Sequence, residues 1–177
     1  MDSIIKKWRA SSPNICKLSR DVEAAAFKAI KSKSPTACHK GISFHAIDDF
    51  LFINLPSGRK LAYFKPRIIK KDDKETLAYF GNIQSSGGWG LISTWGGKLV
   101  ENIVQAIARD CLAVALTRLD DAGYKIVMHI HDEIVCEMPE GVGSLSEVVK
   151  IMCQPILWAH GLLLAADGYE SSFYRKD

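Results

Sequence analysis

The chain has 177 residues, of which 47% are hydrophobic, 24% charged and 9% aromatic, a composition typical of an ordered globular protein rather than a disordered or fibrous one. At this length, folding can bury roughly 70% of the unfolded surface without disulfide bonds or metals. No stretch approaches the roughly 20 consecutive apolar residues of a transmembrane helix, and the chain opens without the apolar block of a signal peptide. We therefore expect a cytoplasmic protein with no membrane segment.

The cysteines predict neither a disulfide framework nor a CxxC metal site. The five cysteines are odd in number and lie at least 17 residues apart, whereas both kinds of site need paired or closely spaced thiols. We expect them to be small buried side chains in a reducing compartment. They are Cys16, Cys38, Cys111, Cys136 and Cys153.

The formal net charge of +3 is unevenly divided along the chain. Residues 1–75 carry 16 basic and eight acidic side chains, a net +8, whereas residues 76–177 carry seven and 12, a net −5. A basic lobe beside an acidic one suits a protein that holds a polyanion with one part and cations with the other. A solvated, lysine-rich helix face explains the basic excess equally well.

The first predicted element is an amphipathic helix that begins after Ser12 and Pro13. Ser12 suits the N-cap, and Pro13 suits the first turn, where its missing N–H would have no intrahelical partner. The helix should end near Pro35, because the residue before a proline is disfavoured in a helix. Apolar residues recur at spacings of three and four, at Ile15, Leu18, Val22, Ala25, Ala26 and Ile30.

Residues 50–66 predict a β-hairpin. An apolar run is followed by a Pro-Ser-Gly turn at residues 56–58 and then by a second run of aromatic and aliphatic residues. Arg59 and Lys60 leave this turn together. As lone residues they are ordinary turn charges, but two adjacent cations can also hold phosphates.

A glycine- and serine-rich loop at residues 85–90 is expected to follow a short strand around residues 77–80. Such residues break regular structure. We therefore place the boundary between two segments of the chain in this loop, which gives a helical and hairpin segment at residues 1–90 and a second segment at residues 91–177.

A broad apolar face after Gly96 and Gly97 predicts a core helix of about six turns. The face begins at Leu99 and ends at Leu119. Gly123 comes directly after the last turn, where a glycine commonly takes the C′ position because it adopts a left-handed conformation without steric cost. This is the clearest helical pattern in the chain.

Residues 125–130 and 133–138 are rich in β-branched side chains and predict two strands joined by a two-residue turn. A capping box at residues 144–147 then opens a last helix, and Pro155 is expected to end or kink it. Together these elements predict an α+β fold in which helices pack on a small antiparallel sheet.

The predicted turn between these strands carries the chemistry. His131, Asp132 and Glu133 place an imidazole and two carboxylates beside strands that are almost wholly apolar. Turn chemistry alone explains an aspartate at this position. It does not explain the whole group, because adjacent carboxylates repel each other unless a cation or a basic partner is near. Hard oxygen ligands of this kind suit Mg²⁺.

A zinc site is a second interpretation of the same region. His129 and His131 form an H-x-H pair, and residues two apart lie on the same face of a strand. Zinc needs at least a third protein ligand, and no further histidine or cysteine marks its position. This interpretation is the weaker one.

Residues 96–110 and 127–133, with further stretches spread over nearly the whole chain, resemble the C-terminal part of family A DNA polymerases, especially their phage and prophage branch. The resemblance is carried by residues 96–110 (GGKLVENIVQAIARD) and 127–133 (VMHIHDE), in which His131-Asp132-Glu133 looks like motif C, the palm hairpin that helps to bind catalytic metal. An HDE triplet alone is weak evidence, but its distance from the helix and a matching C-terminal segment make it specific. Further similar stretches are residues 55–61, 158–162, 165–170 and 173–177.

The resemblance implies a role for each residue of the triplet. Asp132 would be the metal-ligating aspartate, Glu133 a supporting carboxylate, and His131 a contact to the primer end. The implied reaction is template-directed nucleotidyl transfer by two Mg²⁺ ions, with template-primer DNA and a dNTP as partners.

The resemblance also implies contacts to DNA outside the hairpin. Gln105 and Asn102, on the core helix, would touch the minor groove of the template-primer, where similar acceptor atoms at every base pair make sequence-independent contacts possible. Arg59 and Lys60 would hold phosphates. A solvated helix face explains the two amides as well, and for Asn102 the two interpretations are equal.

The chain departs from the family in two places. Neither the first carboxylate motif, motif A, nor the fingers helix with its triphosphate-binding lysine and arginine, motif B, is found in the 177 residues. The resemblance therefore implies a C-terminal fragment, with a fingers remnant at residues 1–90 and part of the palm at residues 91–177. Asp132 and Glu133 cannot supply all the ligands of two Mg²⁺ ions, so we expect an incomplete Mg²⁺ site and no synthesis by this chain alone.

Three functions follow, and each predicts different partners. As part of a polymerase, the chain would associate with a second chain that carries the missing motifs, or with itself, because the missing palm strand would leave an exposed edge. As a non-catalytic DNA-binding or interaction module, it would bind duplex DNA in a salt-dependent way. The third function, a zinc hydrolase built on His129 and His131, would require bound zinc.

Overall fold

The computed structural model describes residues 2–71, 73–85 and 87–175. The fold is α+β, as predicted, with four α-helices, a six-stranded antiparallel sheet and a separate two-stranded sheet in these ranges. The chain forms two compact units, a first unit at residues 1–105 and a second unit at residues 106–177. None of the helices in the described ranges is long and apolar enough to span a bilayer.

Two helices open the first unit. Helix α1 (Asp2–Ser11) was not expected from the sequence, whereas α2 (Pro13–Ser32) confirms the predicted amphipathic helix. Ser12 occupies the N-cap, but its side chain makes no capping hydrogen bond. Lys33 ends α2 in a left-handed conformation (φ 54°), and its N–H donates to the carbonyl of Ala29 at 3.0 Å.

The six strands of the first unit form one antiparallel meander in which each strand pairs with the next along the chain. The predicted hairpin at residues 50–66 is confirmed, and its turn is closed by a hydrogen bond of 2.8 Å from the Leu55 N–H to the Arg59 carbonyl. The strands are β1 (Thr36–Ala37), β2 (Ser43–Ile47), β3 (Phe50–Asn54), β4 (Lys60–Lys71), β5 (Lys74–Ile83) and β6 (Gly88–Thr94).

One strand is longer than the sequence pattern indicated, and another was not predicted, because residues 88–90 of the expected loop belong to it. The expected short strand at residues 77–80 is the middle of β5, and β6 begins inside the glycine-rich stretch at residues 85–90. Glycine is tolerated there because a neighbour needs its space: a Cβ on Gly90 would lie 2.7 Å from Cδ1 of Ile83. The predicted boundary thus falls within the β5–β6 hairpin, whereas the two units divide between residues 105 and 106.

One face of the six-stranded sheet packs against α2 and forms the core of the first unit. Alternate side chains of β2, β3 and β4 point to this face and are buried with the apolar side of the helix. The buried side chains include Phe44, Ala46, Leu51, Ile53 and Tyr63 of the sheet and Val22, Ala25, Ala26 and Ala29 of α2.

Helix α3 (Gly96–Asp121) confirms the predicted core helix and leads into the second unit. It ends in a Schellman turn: the Gly123 N–H donates to the Asp120 carbonyl, and the Tyr124 N–H donates to the Leu119 carbonyl, both at 2.9 Å. Gly123 has the left-handed φ of 85° that this turn requires. The glycine therefore ends the helix at the predicted residue.

The second unit continues with β7 (Ile126–Ile130) and β8 (Glu133–Cys136), which pair as the predicted hairpin. Helix α4 (Leu145–Met152) follows the predicted capping box and stops before Pro155. A short 3₁₀ turn (Leu157–Ala159) leads to an irregular C-terminal segment. The core of this unit gathers Leu119, Tyr124 and Ile151, with Ile126, Ile134, Cys136, Met138, Val148 and Met152 packed against them.

The Schellman turn gives a direct test of the α3 terminus. A Cβ on Gly123 would contact nothing within 4 Å, so a substitution there costs only backbone strain. We expect Gly123→Ala to lower the free energy of unfolding by about 1 kcal/mol, and Gly123→Asn to lower it less, because asparagine tolerates the left-handed region. Urea denaturation followed by circular dichroism measures both, and equal effects of the two variants would contradict the assignment.

Candidate functional site

The candidate site is the turn between β7 and β8. Ile130 pairs with Glu133, which leaves His131 and Asp132 as the two turn residues. His131 has a φ of 53°, a left-handed conformation that is uncommon outside glycine. Both turn side chains are exposed and Glu133 is half-buried. The structure therefore brings the three predicted residues together at an accessible hairpin tip.

The base of the hairpin is fixed on both strands. The Glu137 N–H donates to the Lys125 carbonyl at 2.9 Å, and the side chains of the same two residues form an ion pair at 2.6 Å. The hydrogen bond from the lysine lowers the pKa of the Glu137 carboxyl. An exposed pair of this kind contributes little stability, so the backbone contact is the more important constraint.

The hairpin is joined to α4 through the hydroxyl of Tyr124. Ser144 caps α4 as predicted, since its Oγ accepts from the Glu147 N–H at 3.2 Å. The Glu147 carboxylate does not complete the capping box. It accepts from the Tyr124 hydroxyl at 2.6 Å, while the Ser144 N–H donates to the same hydroxyl oxygen at 3.2 Å. The hydrogen bond to Glu147 raises the pKa of Tyr124.

The C-terminal segment lies near the site, which the sequence did not indicate. Glu170 accepts a hydrogen bond of 3.0 Å from the N–H of Leu145, in the first turn of α4. Partial burial and then the nearby negative charge of Glu133 raise the pKa of Tyr174. Tyr174 is therefore within electrostatic reach of Glu133, a relation that sequence reasoning missed. Its only signal was its place in the C-terminal stretch that resembles the polymerases.

The two carboxylates fit Mg²⁺ as part of a ligand set. Asp132 and Glu133 offer hard oxygen donors on adjacent residues, and Asp132 is exposed at the turn. In the ranges that the structure describes, no three His, Cys, Asp or Glu side chains form a group that could hold a metal. The hairpin can thus contribute ligands to a Mg²⁺ site but does not form a complete one within these residues.

The side chain of His129 contacts Arg109. Its Nε2 lies 3.4 Å from Nη2 of Arg109. Because a guanidinium can only donate, this contact uses the lone pair that a metal would need. The arginine charge beside the ring also opposes a second cation. These contacts disfavour the zinc interpretation of His129 and His131.

The other four predicted residues lie in the first unit. Gln105 is exposed on α3, while the half-buried Asn102 donates from its Nδ2 to the hydroxyl of Tyr63 at 2.8 Å. Arg59 and Lys60 are exposed at the β3–β4 turn, and Nζ of Lys60 lies 5.8 Å from the ring centroid of Phe52. The amide of Asn102 is therefore committed to a contact inside the protein.

Comparison with known proteins finds a similar polymerase. The chain is 50% identical over 179 residues to a DNA polymerase of Bacillus phage SP02, and the alignment covers all of this chain and 28% of that polymerase. The chain thus spans little more than a quarter of the length of this relative. No family model matches the sequence, and no solved structure matches it. The chain is therefore similar, over its whole length, to part of a phage DNA polymerase.

The Asn102–Tyr63 contact predicts a stability role for Asn102. We expect Asn102→Ala to lower the free energy of unfolding by about 1–3 kcal/mol, because it leaves the hydroxyl of the buried Tyr63 without this partner. The double variant Asn102→Ala, Tyr63→Phe should lose less stability than the sum of the losses in the two single variants, because both substitutions remove the same interaction. Urea denaturation of the four proteins gives the coupling, and strict additivity would contradict the contact.

Tyr63 also predicts a loss of stability at alkaline pH. Burial raises the pKa of Tyr63 above its ordinary 10.0. The hydrogen bond from Asn102 opposes this shift, and the charge of Tyr79 adds a smaller increase. Because the folded-state pKa is raised, stability present below pH 10 should be lost as the pH rises through that pKa. Urea denaturation above pH 10 should show a steeper loss in the original chain than in Tyr63→Phe. Equal slopes would contradict this assignment.

Proposed function

We propose that this chain forms part of a template-directed DNA polymerase of family A, and that its β7–β8 hairpin is motif C of the palm. The observation that carries the proposal is the exposed Asp132 at a two-residue turn, in a chain that is similar over its whole length to a phage DNA polymerase. A carboxylate that is to share a metal with a nucleotide must be open to both, and the tip of a short hairpin provides this access.

Each residue of the hairpin then has a role. Asp132 and Glu133 would hold Mg²⁺, which when bound neutralises charge on the transferring phosphoryl group. Asp132 is the exposed ligand. Glu133 is half-buried, lies within electrostatic reach of Tyr174 and would act as the supporting carboxylate. His131, held at the tip by its turn conformation, presents its ring to the end of a primer.

The first unit contributes affinity for DNA in this proposal. Residues 1–105 carry 17 basic and nine acidic side chains, a net +8, against a net −5 in the second unit. Arg59 and Lys60 would contact phosphates, and exposed Gln105 would reach the minor groove. We assign residues 1–90 to the fingers and residues 91–177 to the palm.

These 177 residues alone are proposed to be inactive in synthesis. Two Mg²⁺ ions need more ligands than Asp132 and Glu133 supply, so the chain would act together with a polymerase segment that carries the other carboxylate motif. A non-catalytic DNA-binding module is the second candidate function. The basic excess of the first unit favours it.

A chimera tests the polymerase assignment. This chain would replace the matching 28% of the SP02 polymerase, and the chimera should extend a primer with Mg²⁺ and four nucleotides. We expect Asp132→Asn to lower its rate by about 100-fold or more, the scale found when a group that stabilises developing charge is removed. Primer extension resolved on a denaturing gel measures the rate.

Asp120→Asn is the matched control, because Asp120 is also an exposed aspartate of the second unit and the charge change is the same. It should leave the rate of the chimera unchanged, and the 177-residue chain alone should give no templated product. Activity of Asp132→Asn within a few fold of the chimera would overturn the motif C assignment. Synthesis by the chain alone would overturn its proposed inactivity.

A further inference from the structure

The six-stranded sheet has a second face, directed away from α2, that is built from aromatic rings. Phe50 pairs with Phe64, and Phe64 with Phe80, across β3, β4 and β5. Ring centroids lie 5.3 Å apart for Phe50 and Phe64, and 6.3 Å apart for Phe64 and Trp89 of β6. Phe52 stacks on Phe50 at 5.6 Å. We call these five rings the aromatic face.

The aromatic face is accessible to a ligand. Trp89 is 67% exposed, and the phenylalanine rings are partly exposed. Leu51 and Ile53, which alternate with Phe50 and Phe52 on β3, are fully buried on the α2 side. Contiguous apolar surfaces of this kind often mark binding sites, whereas single exposed apolar side chains are common and need no such explanation.

Three cations lie over these rings. Nζ of Lys60 is 5.8 Å from the centroid of Phe52, Nζ of Lys65 is 5.2 Å from that of Phe64, and Cζ of Arg67 is 5.2 Å from that of Phe80. All three cations belong to β4 and lie over rings of β3, β4 and β5, so the positive charge runs along the middle of the face rather than at one edge.

A β-bulge puts Arg67 on this face. Regular alternation along β4 would direct residue 67 to the side opposite Phe64. Between these two residues β4 carries one residue more than β5, since Phe64 pairs with Phe80 and Arg67 with Ala78. Lys65 lies in the bulge with a φ of 45°. The extra residue reverses the alternation, which is the effect by which bulges re-aim side chains.

We propose that the aromatic face binds single-stranded DNA, with bases stacked on the rings and phosphates held by Lys60, Lys65 and Arg67. Single strands expose the faces of their bases, whereas paired bases in a duplex do not, so stacking selects the single strand. The choice of DNA over RNA rests on the proposed polymerase function. The site lies in the first unit, whereas the Asp132 hairpin belongs to the second.

The charges argue against other occupants. A second copy of the chain, bound through the same face, would bring like charges together. An apolar protein partner would supply no counter-charge to the cations that it buries, which is costly. A polyanion with flat apolar groups satisfies both the cations and the rings.

Binding of labelled oligothymidine to the full 177-residue chain tests this proposal. Fluorescence anisotropy in EDTA, without nucleotides, gives the affinity. We expect Trp89→Ala to weaken binding about fivefold or more, the range for loss of one stacked base, and Trp89→Phe to restore part of it. Trp8→Ala is the control, because Trp8 is also an exposed tryptophan of the first unit, on α1, and it should have no effect.

A charge-reversal variant tests the contribution of Arg67 to DNA binding. Arg67→Glu should weaken binding more than Lys28→Glu, which changes the net charge equally at an exposed position on α2. Circular dichroism would confirm that each variant folds. Equal losses in the matched pairs, no binding by the original chain, or tighter binding of the corresponding RNA would overturn the proposal.

Light scattering tests whether a second copy of the chain occupies the aromatic face. A dimer that dissociates in Trp89→Ala would assign the face to a second copy and would also overturn the proposal, whereas a monomer supports it. These measurements do not involve Asp132 or Mg²⁺. Failure here therefore leaves the result of the chimera unchanged, and failure of the chimera leaves the binding result unchanged.

Discussion

The second unit depends on one buried hydroxyl group, that of Tyr124. Its ring packs with Leu119 and Ile151 in the core, and its oxygen bonds both the Ser144 N–H and the Glu147 carboxylate. The residue directly follows the turn that ends α3 and lies two positions before the first residue of β7. Because a buried hydroxyl is costly without partners, this contact holds the end of α3, the base of the hairpin and the start of α4 in one arrangement.

This arrangement explains how an acidic turn can be both exposed and well placed. The lower part of the hairpin packs through Ile126 and Ile134 into the core of the second unit, which leaves the tip to carry His131 and Asp132 into solvent. Glu133 lies between these environments and near Tyr174. A rigid base with an accessible tip is what a site that shares a metal with a nucleotide requires.

The first unit uses one sheet for two purposes. Strand alternation sends Leu51 and Ile53 toward α2, and Phe50 and Phe52 toward the opposite face. The buried face supplies the stability of the unit, so the aromatic face can remain partly exposed. The bulge after Phe64 then adds positive charge to the aromatic face. The two units thus carry opposite net charges, +8 and −5. In the proposed function the first would meet a polyanion and the second divalent cations.

The sequence by itself determined the elements whose signals are local. Helix α2, the end of α3 at Gly123, the capping serine at residue 144 and the hairpin that joins residues 131 and 132 follow from side-chain periodicity, caps and turn residues. The resemblance to phage polymerases pointed to a similarity that the comparison with the SP02 enzyme supports. These features depend on residues only a few positions apart, and local sequence patterns predict structure over that distance.

Only the tertiary structure decided the contacts between distant residues. Asn102 and Tyr63 are separated by 39 positions, and Tyr124 and Glu147 by 23, so no local pattern predicts that they meet. The same holds for the six-stranded sheet, whose long β5 and β6 contain glycines that weaken a strand pattern, and for Tyr174 within electrostatic reach of Glu133. Strand register and side-chain partners are fixed by packing across the fold, because each polar group takes the partner that burial leaves within reach.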